Sequence, residues 1–70
     1  MAVYRSKRSG KIYKAVEWYY PKIVVILAKY SKAEPYSIDY SIRPFRSVDV
    51  AERVLKEMAK LYDWEEIKDD

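Results

Sequence analysis

The sequence predicts an α+β domain: an antiparallel meander of three or four strands, with one C-terminal amphipathic helix packed on one face of the sheet. Three observations predict it. Apolar and polar residues alternate at period two through residues 36–43, and two further stretches rich in β-branched and aromatic residues precede them. Gly10, Pro21, Pro35 and Pro44 punctuate those stretches. From residue 48 the apolar spacing becomes helical. Seventy residues fit one domain, residues 1–70, whose core must be small.

Each element has its own signal. Residues 2–6 suit a short strand, and residues 7–11 (Lys7-Arg8-Ser9-Gly10-Lys11) a hairpin turn. Gly10 is the only glycine and takes positive φ without steric cost. Residues 12–19 read as a second strand. Ile12, Val16 and Trp18 share one face with Lys14, whereas Lys11, Tyr13, Glu17 and Tyr19 share the other. Hydropathy assigns the first of these faces to the core, with Trp18 as an anchor, and leaves the second open.

Tyr20-Pro21-Lys22 should break the chain. Residues 23–30 are apolar on both faces, as in a central strand covered on both sides or nearly so. Residues 31–35 form a polar loop. In residues 36–43, Tyr36, Ile38, Tyr40 and Ile42 should face the core, with Ser37, Asp39, Ser41 and Arg43 opposite. Pro44 ends that strand because it cannot donate to a ladder. Ser47 is a natural N-cap, and Asp49 suits the first turn. Val48, Ala51, Val54, Leu55, Met58, Ala59, Leu61 and Tyr62 draw one stripe on a helix over about 48–62. Residues 63–70 read as an acidic, solvated tail.

Charge is segregated along the chain. Residues 1–32 hold Arg5, Lys7, Arg8, Lys11, Lys14, Lys22, Lys29 and Lys32 against Glu17 alone, and the acids concentrate after residue 33. Tyr4, Tyr13, Trp18, Tyr19, Tyr20 and Tyr30 lie among these cations. Phosphates attract cations and bases stack on rings, so DNA or RNA is the expected partner. The expected contact residues are Arg5, Lys7, Arg8, Lys11, Tyr13, Lys14, Tyr19, Lys22, Lys29 and Arg43. If five phosphates were neutralised on duplex, the log–log salt slope would be about −4.5. The alternative is a protein-interaction or homodimerisation module using the same open, tyrosine-bearing face.

The absences exclude other classes. Without His or Cys, nucleophile pairs built on them and His- or Cys-ligated zinc cannot exist. No catalytic residue, metal site or cofactor is expected, and the chain reads as a non-enzyme. The longest apolar run, residues 23–28, is far short of the roughly 20 residues a membrane span needs. A soluble, cytoplasmic protein with no membrane partner is therefore expected. Asn, Gln and Thr are also absent while Lys and Glu abound, a bias expected of a thermophile.

The element order is similar to two small folds: the three-stranded-sheet-plus-helix module of integrase arm-binding domains, and the four-strands-then-helix fold of transcriptional coactivators. Phe45-Arg46-Ser47 followed by Ala51 resembles the strand-to-helix junction of the first. Neither resemblance assigns a functional position.

Overall fold

A computed structural model describes residues 2–19 and 22–68, with the backbone alone at Tyr19. The elements are β1 (Val3–Ser6), β2 (Ile12–Tyr19), β3 (Lys22–Lys29), β4 (Ser37–Ile38), α1 (Val48–Tyr62) and β5 (Trp64–Ile67). They form a five-stranded sheet in the order β4-β3-β2-β1-β5, with every pairing antiparallel, and one helix. The expected α+β class holds, with one strand more than the sequence suggested. Among the described residues no helix is long and apolar enough to cross a membrane.

The first hairpin forms as expected. Gly10 adopts φ 78°. The Gly10 N–H donates to the Ser6 carbonyl at 2.9 Å, and the Ser6 N–H donates to the Lys11 carbonyl at 2.9 Å. The Ser9 N–H donates to the buried Ser6 hydroxyl at 3.2 Å, which helps fix the tip. The break expected at Tyr20-Pro21 lies outside the described residues.

The helix runs over the expected span. The Ser47 hydroxyl accepts from the Val50 N–H at 3.3 Å, satisfying one orphan donor of the first turn. At the other end Asp63 turns left-handed at φ 58° and its N–H donates to the Ala59 carbonyl. That sharp stop lets β5 begin at the next residue.

Three expected features differ. The regular alternation of residues 36–43 yields only Ser37–Ile38 as strand. Asp39 accounts for the loss: its carboxylate accepts from the Ser41 N–H at 3.0 Å, and its carbonyl accepts from the Ile42 N–H at 3.2 Å. This local turn competes with the ladder. The chain touches the β3 edge once more, where Val24 and Phe45 exchange backbone hydrogen bonds. Tyr40, expected in the core, is consequently 86% exposed. The second difference is the acidic tail. Residues 64–67 pair with β1 in the register Val3↔Ile67 and Arg5↔Glu65, so β5 forms the edge opposite β4. Asp69 and Asp70 lie outside the described residues. The strand after the helix also separates this element order from both folds it resembles.

The largest correction concerns the covered face. Cross-strand partners share a face, so the register sorts the side chains. Tyr4, Tyr13, Ala15, Val24, Ile26, Ala28 and Trp64 lie beneath α1. Val3, Ile12, Val16, Trp18, Ile23, Val25, Leu27, Ile38 and Ile67 lie on the opposite face, with Arg5, Lys14, Lys29 and Glu65. Hydropathy therefore picks the face of β2 that α1 does not cover, though Ile12 on it is buried as expected. Alanine decides the matter: Ala51, Leu55 and Ala59 face the sheet from α1, and Ala15, fully buried, meets them. Small residues on both surfaces let helix and sheet approach closely. Trp18 is no core anchor; it is 45% exposed on the face away from the helix, although Val3, Ile12 and Val25 on the same face are buried. Leu61 and Tyr62 also leave the expected stripe and are exposed.

Leu55 is the largest fully buried side chain of the helix. Leu55→Ala should lower unfolding free energy by about 2–5 kcal/mol. Leu61→Ala, at a position 74% exposed, should change it by less than about 0.5 kcal/mol. Urea denaturation checks both, and equal effects would contradict this seating of the helix.

Candidate functional site

A cleft of about 910 Å³ opens on the helix side of the sheet. Its walls are the β1–β2 hairpin tip, the turn at residues 39–42 and the C-terminal end of α1. The hairpin brings Lys7, Arg8 and Lys11 to one wall, because the loop of residues 7–11 projects beyond the ends of β1 and β2. The left-handed residue Asp63 brings Tyr62 and Trp64 to another.

Rings form the floor. Tyr13 and Trp64 stack with centroids 4.2 Å apart and planes 9° from parallel. Tyr62 follows at 5.8 Å from Trp64 and 30° and is 56% exposed, so its ring is the one most open to a ligand. An offset ring stack is a rigid apolar platform with low conformational entropy.

The charges of the cleft are partly matched within the protein. The Lys11 ammonium lies 3.6 Å from Asp39 and 5.2 Å from the centroids of both Tyr13 and Tyr30. Burial pulls the Lys11 pKa down, but the Tyr13 phenol, the Asp39 carboxylate and Tyr30 outweigh it, so the net direction is up. Burial likewise pushes Asp39 up, yet hydrogen bonds from Ser41 and the Lys11 ammonium hold it below the usual carboxylate range. Lys7 meets Asp63 at 3.3 Å in a solvent-exposed pair, which contributes little and is easily exchanged for another anion. Arg8 is exposed and has no ion pair among the described residues.

The expected contact residues do not form one surface. Lys7, Arg8, Lys11 and Tyr13 gather at the cleft. Tyr13, expected on an open face, is half-buried beneath the helix side and stacked. Arg5, Lys14 and Lys29 lie on the opposite face. There Arg5 Nε and Nη2 both donate to Glu65 Oε1, at 2.9 and 2.5 Å. The Lys14 and Lys29 ammonium groups sit 4.3 and 4.4 Å from the Tyr36 ring centroid. Lys22 is exposed at the end of β2–β3 remote from the cleft, where it pairs with Tyr19. Arg43 is exposed on the chain between β4 and α1, outside the cleft lining. The Tyr19 side chain lies outside the described residues. Ser37 shares the helix-side face with Ala28, and Ser41 belongs to a turn.

Tyr62, Trp64 and Asp39 are site residues that pattern reading missed. The segment Trp64-Glu65-Glu66-Ile67 offers no period-two signal, because its two apolar residues fall on opposite faces of the strand. Among the described residues no three His, Cys, Asp or Glu side chains converge as metal ligands. No protein-family model matches the chain, and no curated protein or solved structure is significantly similar to it.

Asp39 links the cleft to pH. A carboxyl with a depressed folded pKa stabilises the fold above its unfolded pKa of about 3.9, and that stability is lost as pH falls through the folded value. The urea midpoint should therefore drop below about pH 4 more steeply in the wild type than in Asp39→Asn. Parallel acid limbs for the two proteins would show that Asp39 carries no such linkage.

Proposed function

We propose that this chain binds single-stranded nucleic acid, with the hairpin tip on the phosphate backbone and an unpaired base against Tyr62 at the mouth of the cleft. The observation that supports it is the juxtaposition of Lys7 and Arg8 with a cleft floored by stacked rings. A base reaches a ring inside a concave site only when it is unpaired, which favours a single strand over a duplex. The rings accept any base face, and the cations recognise phosphate without reading sequence.

The internal ion pairs lower the expected electrostatic share. Lys11 is held by Asp39, and Arg5 by Glu65, so neither is available to a phosphate without losing its partner. Lys7 and Arg8 remain, giving about two phosphate contacts and not the five that composition alone suggests. On a single strand, two contacts correspond to a log–log salt slope of about −1.4.

Fluorescence anisotropy of a labelled single-stranded oligonucleotide, titrated over a range of salt, tests this reading. The expected result is binding with that shallow slope, weaker on a duplex of the same sequence. The double substitution Lys7→Glu and Arg8→Glu should abolish binding while the folded circular-dichroism spectrum persists. Tyr62→Ala should weaken it by about 1–3 kcal/mol. Absence of binding at low salt, or binding indifferent to both variants, would overturn the reading.

A further inference from the structure

We infer that a second base of the bound strand rests in the pocket between Tyr30 and Tyr40, so that the protein grips a tract of several nucleotides. The inference rests on the single-strand reading of the cleft and extends it to a second site on the same side of the sheet.

The pocket adjoins the cleft. It measures about 240 Å³, is walled by Tyr30, Glu34, Ser37 and Tyr40, and shares Lys11 and Asp39 with the cleft. A lone exposed tyrosine needs no explanation. Here two, 67% and 86% exposed, flank one concavity next to a floor of stacked rings. The backbone presents both. Tyr30 stands two residues beyond Ala28, just past the end of β3, and its N–H donates to the Glu34 carboxylate at 3.3 Å. The Asp39 N–H donates to the Ile26 carbonyl at 2.9 Å, and the turn that follows throws Tyr40 outward. Each ring is therefore carried by a hydrogen-bonded segment, and a tyrosine has few rotamers to lose on stacking.

Lys11 joins the two platforms. Its ammonium lies 5.2 Å from the centroid of Tyr13 and 5.2 Å from that of Tyr30. The two rings are thus at most about 10 Å apart, or three steps of a stacked strand at about 3.4 Å each. Continuing through Trp64, the path from Tyr30 to Tyr62 is at most about 20 Å, or six such steps. One short strand can reach both ends.

Charge decides which part of the strand enters. The pocket holds the carboxylates of Glu34 and Asp39, and its one cation, Lys11, is already paired with Asp39. That lining repels a phosphate. A ring face, in contrast, accepts any base. The phosphates stay with Lys7 and Arg8 at the hairpin tip, and the second site adds stacking without adding a phosphate contact.

Fluorescence anisotropy of the full chain with a labelled thymidine decamer, which exceeds the six-step path, tests the inference. The double substitution Tyr30→Ala and Tyr40→Ala should weaken binding about fivefold to a hundredfold, the cost of one lost stacked base, while the salt slope and the folded circular-dichroism spectrum stay as in the wild type. A second measurement needs no variant. Irradiation of the wild-type complex with a decamer carrying iodouracil should crosslink Tyr30 or Tyr40 as well as the rings of the cleft, read by mass spectrometry of the digest. Crosslinks confined to Tyr62 and Trp64, or a double variant that binds the decamer like the wild type, would overturn this inference and leave the cleft reading standing. A double variant with a shallower salt slope would also overturn it, because the pocket would then be holding phosphate. Absence of decamer binding altogether would overturn both.

Discussion

The seat of α1 on the sheet rests on three alanines. Ala51 and Ala59 flank Leu55 on the helix, and Ala15 lies beneath them on β2. Close approach at that point selects which face of the sheet is covered. The selection fixes the rest. Tyr13 and Trp64 become a stacked pair at the end of the helix, and Ile12, Val16 and Trp18 are left on the far side. A larger side chain at Ala15 would lift the helix and open the same core that holds Tyr4, Val24 and Ile26.

The charge asymmetry of the chain has a structural share. The basic first half and the acidic second half meet in the fold, because β5 returns to lie beside β1 and the turn at Asp39 lies against β3. Arg5 finds Glu65, Lys7 finds Asp63, and Lys11 finds Asp39. Part of what composition suggests is an exposed cationic surface is therefore a set of contacts between distant segments. The hairpin tip is where the asymmetry survives: Arg8 keeps its charge in water, and the Lys7 pair is exposed enough to be traded.

Local features were legible in the sequence and relational ones were not. Gly10 specified its turn, and Ser47 with the 48–62 stripe specified the helix, because each depends on a few neighbouring residues. The apolar character of β3 on both faces was equally plain. The choice of covered face was not, since it follows from fit between alanines on separate elements, and summed hydropathy favours Ile12, Val16 and Trp18 over Tyr13 and Ala15. Period two promised a long strand over 36–43, but the Asp39 carboxylate offers the backbone a turn that alternation cannot reveal. At the site, Lys7, Arg8, Lys11 and Tyr13 were visible as a basic, aromatic hairpin. Tyr62 and Trp64 were hidden, one in a helical stripe and one in an acidic segment, because only the left-handed residue Asp63 brings them to the hairpin.

The pairing of the first strand with the last has a consequence for how the molecule assembles. Val3 lies opposite Ile67 and Arg5 opposite Glu65, so these pairs join residues 60 or more apart in sequence. Hairpins β1–β2 and β2–β3 can form early from nearby segments, but β1 keeps a bare edge until β5 docks. Contacts of such high sequence separation slow folding. Closing a loop of about 60 residues costs more entropy than closing either hairpin, so β5 is expected to dock last and to open first when the sheet frays.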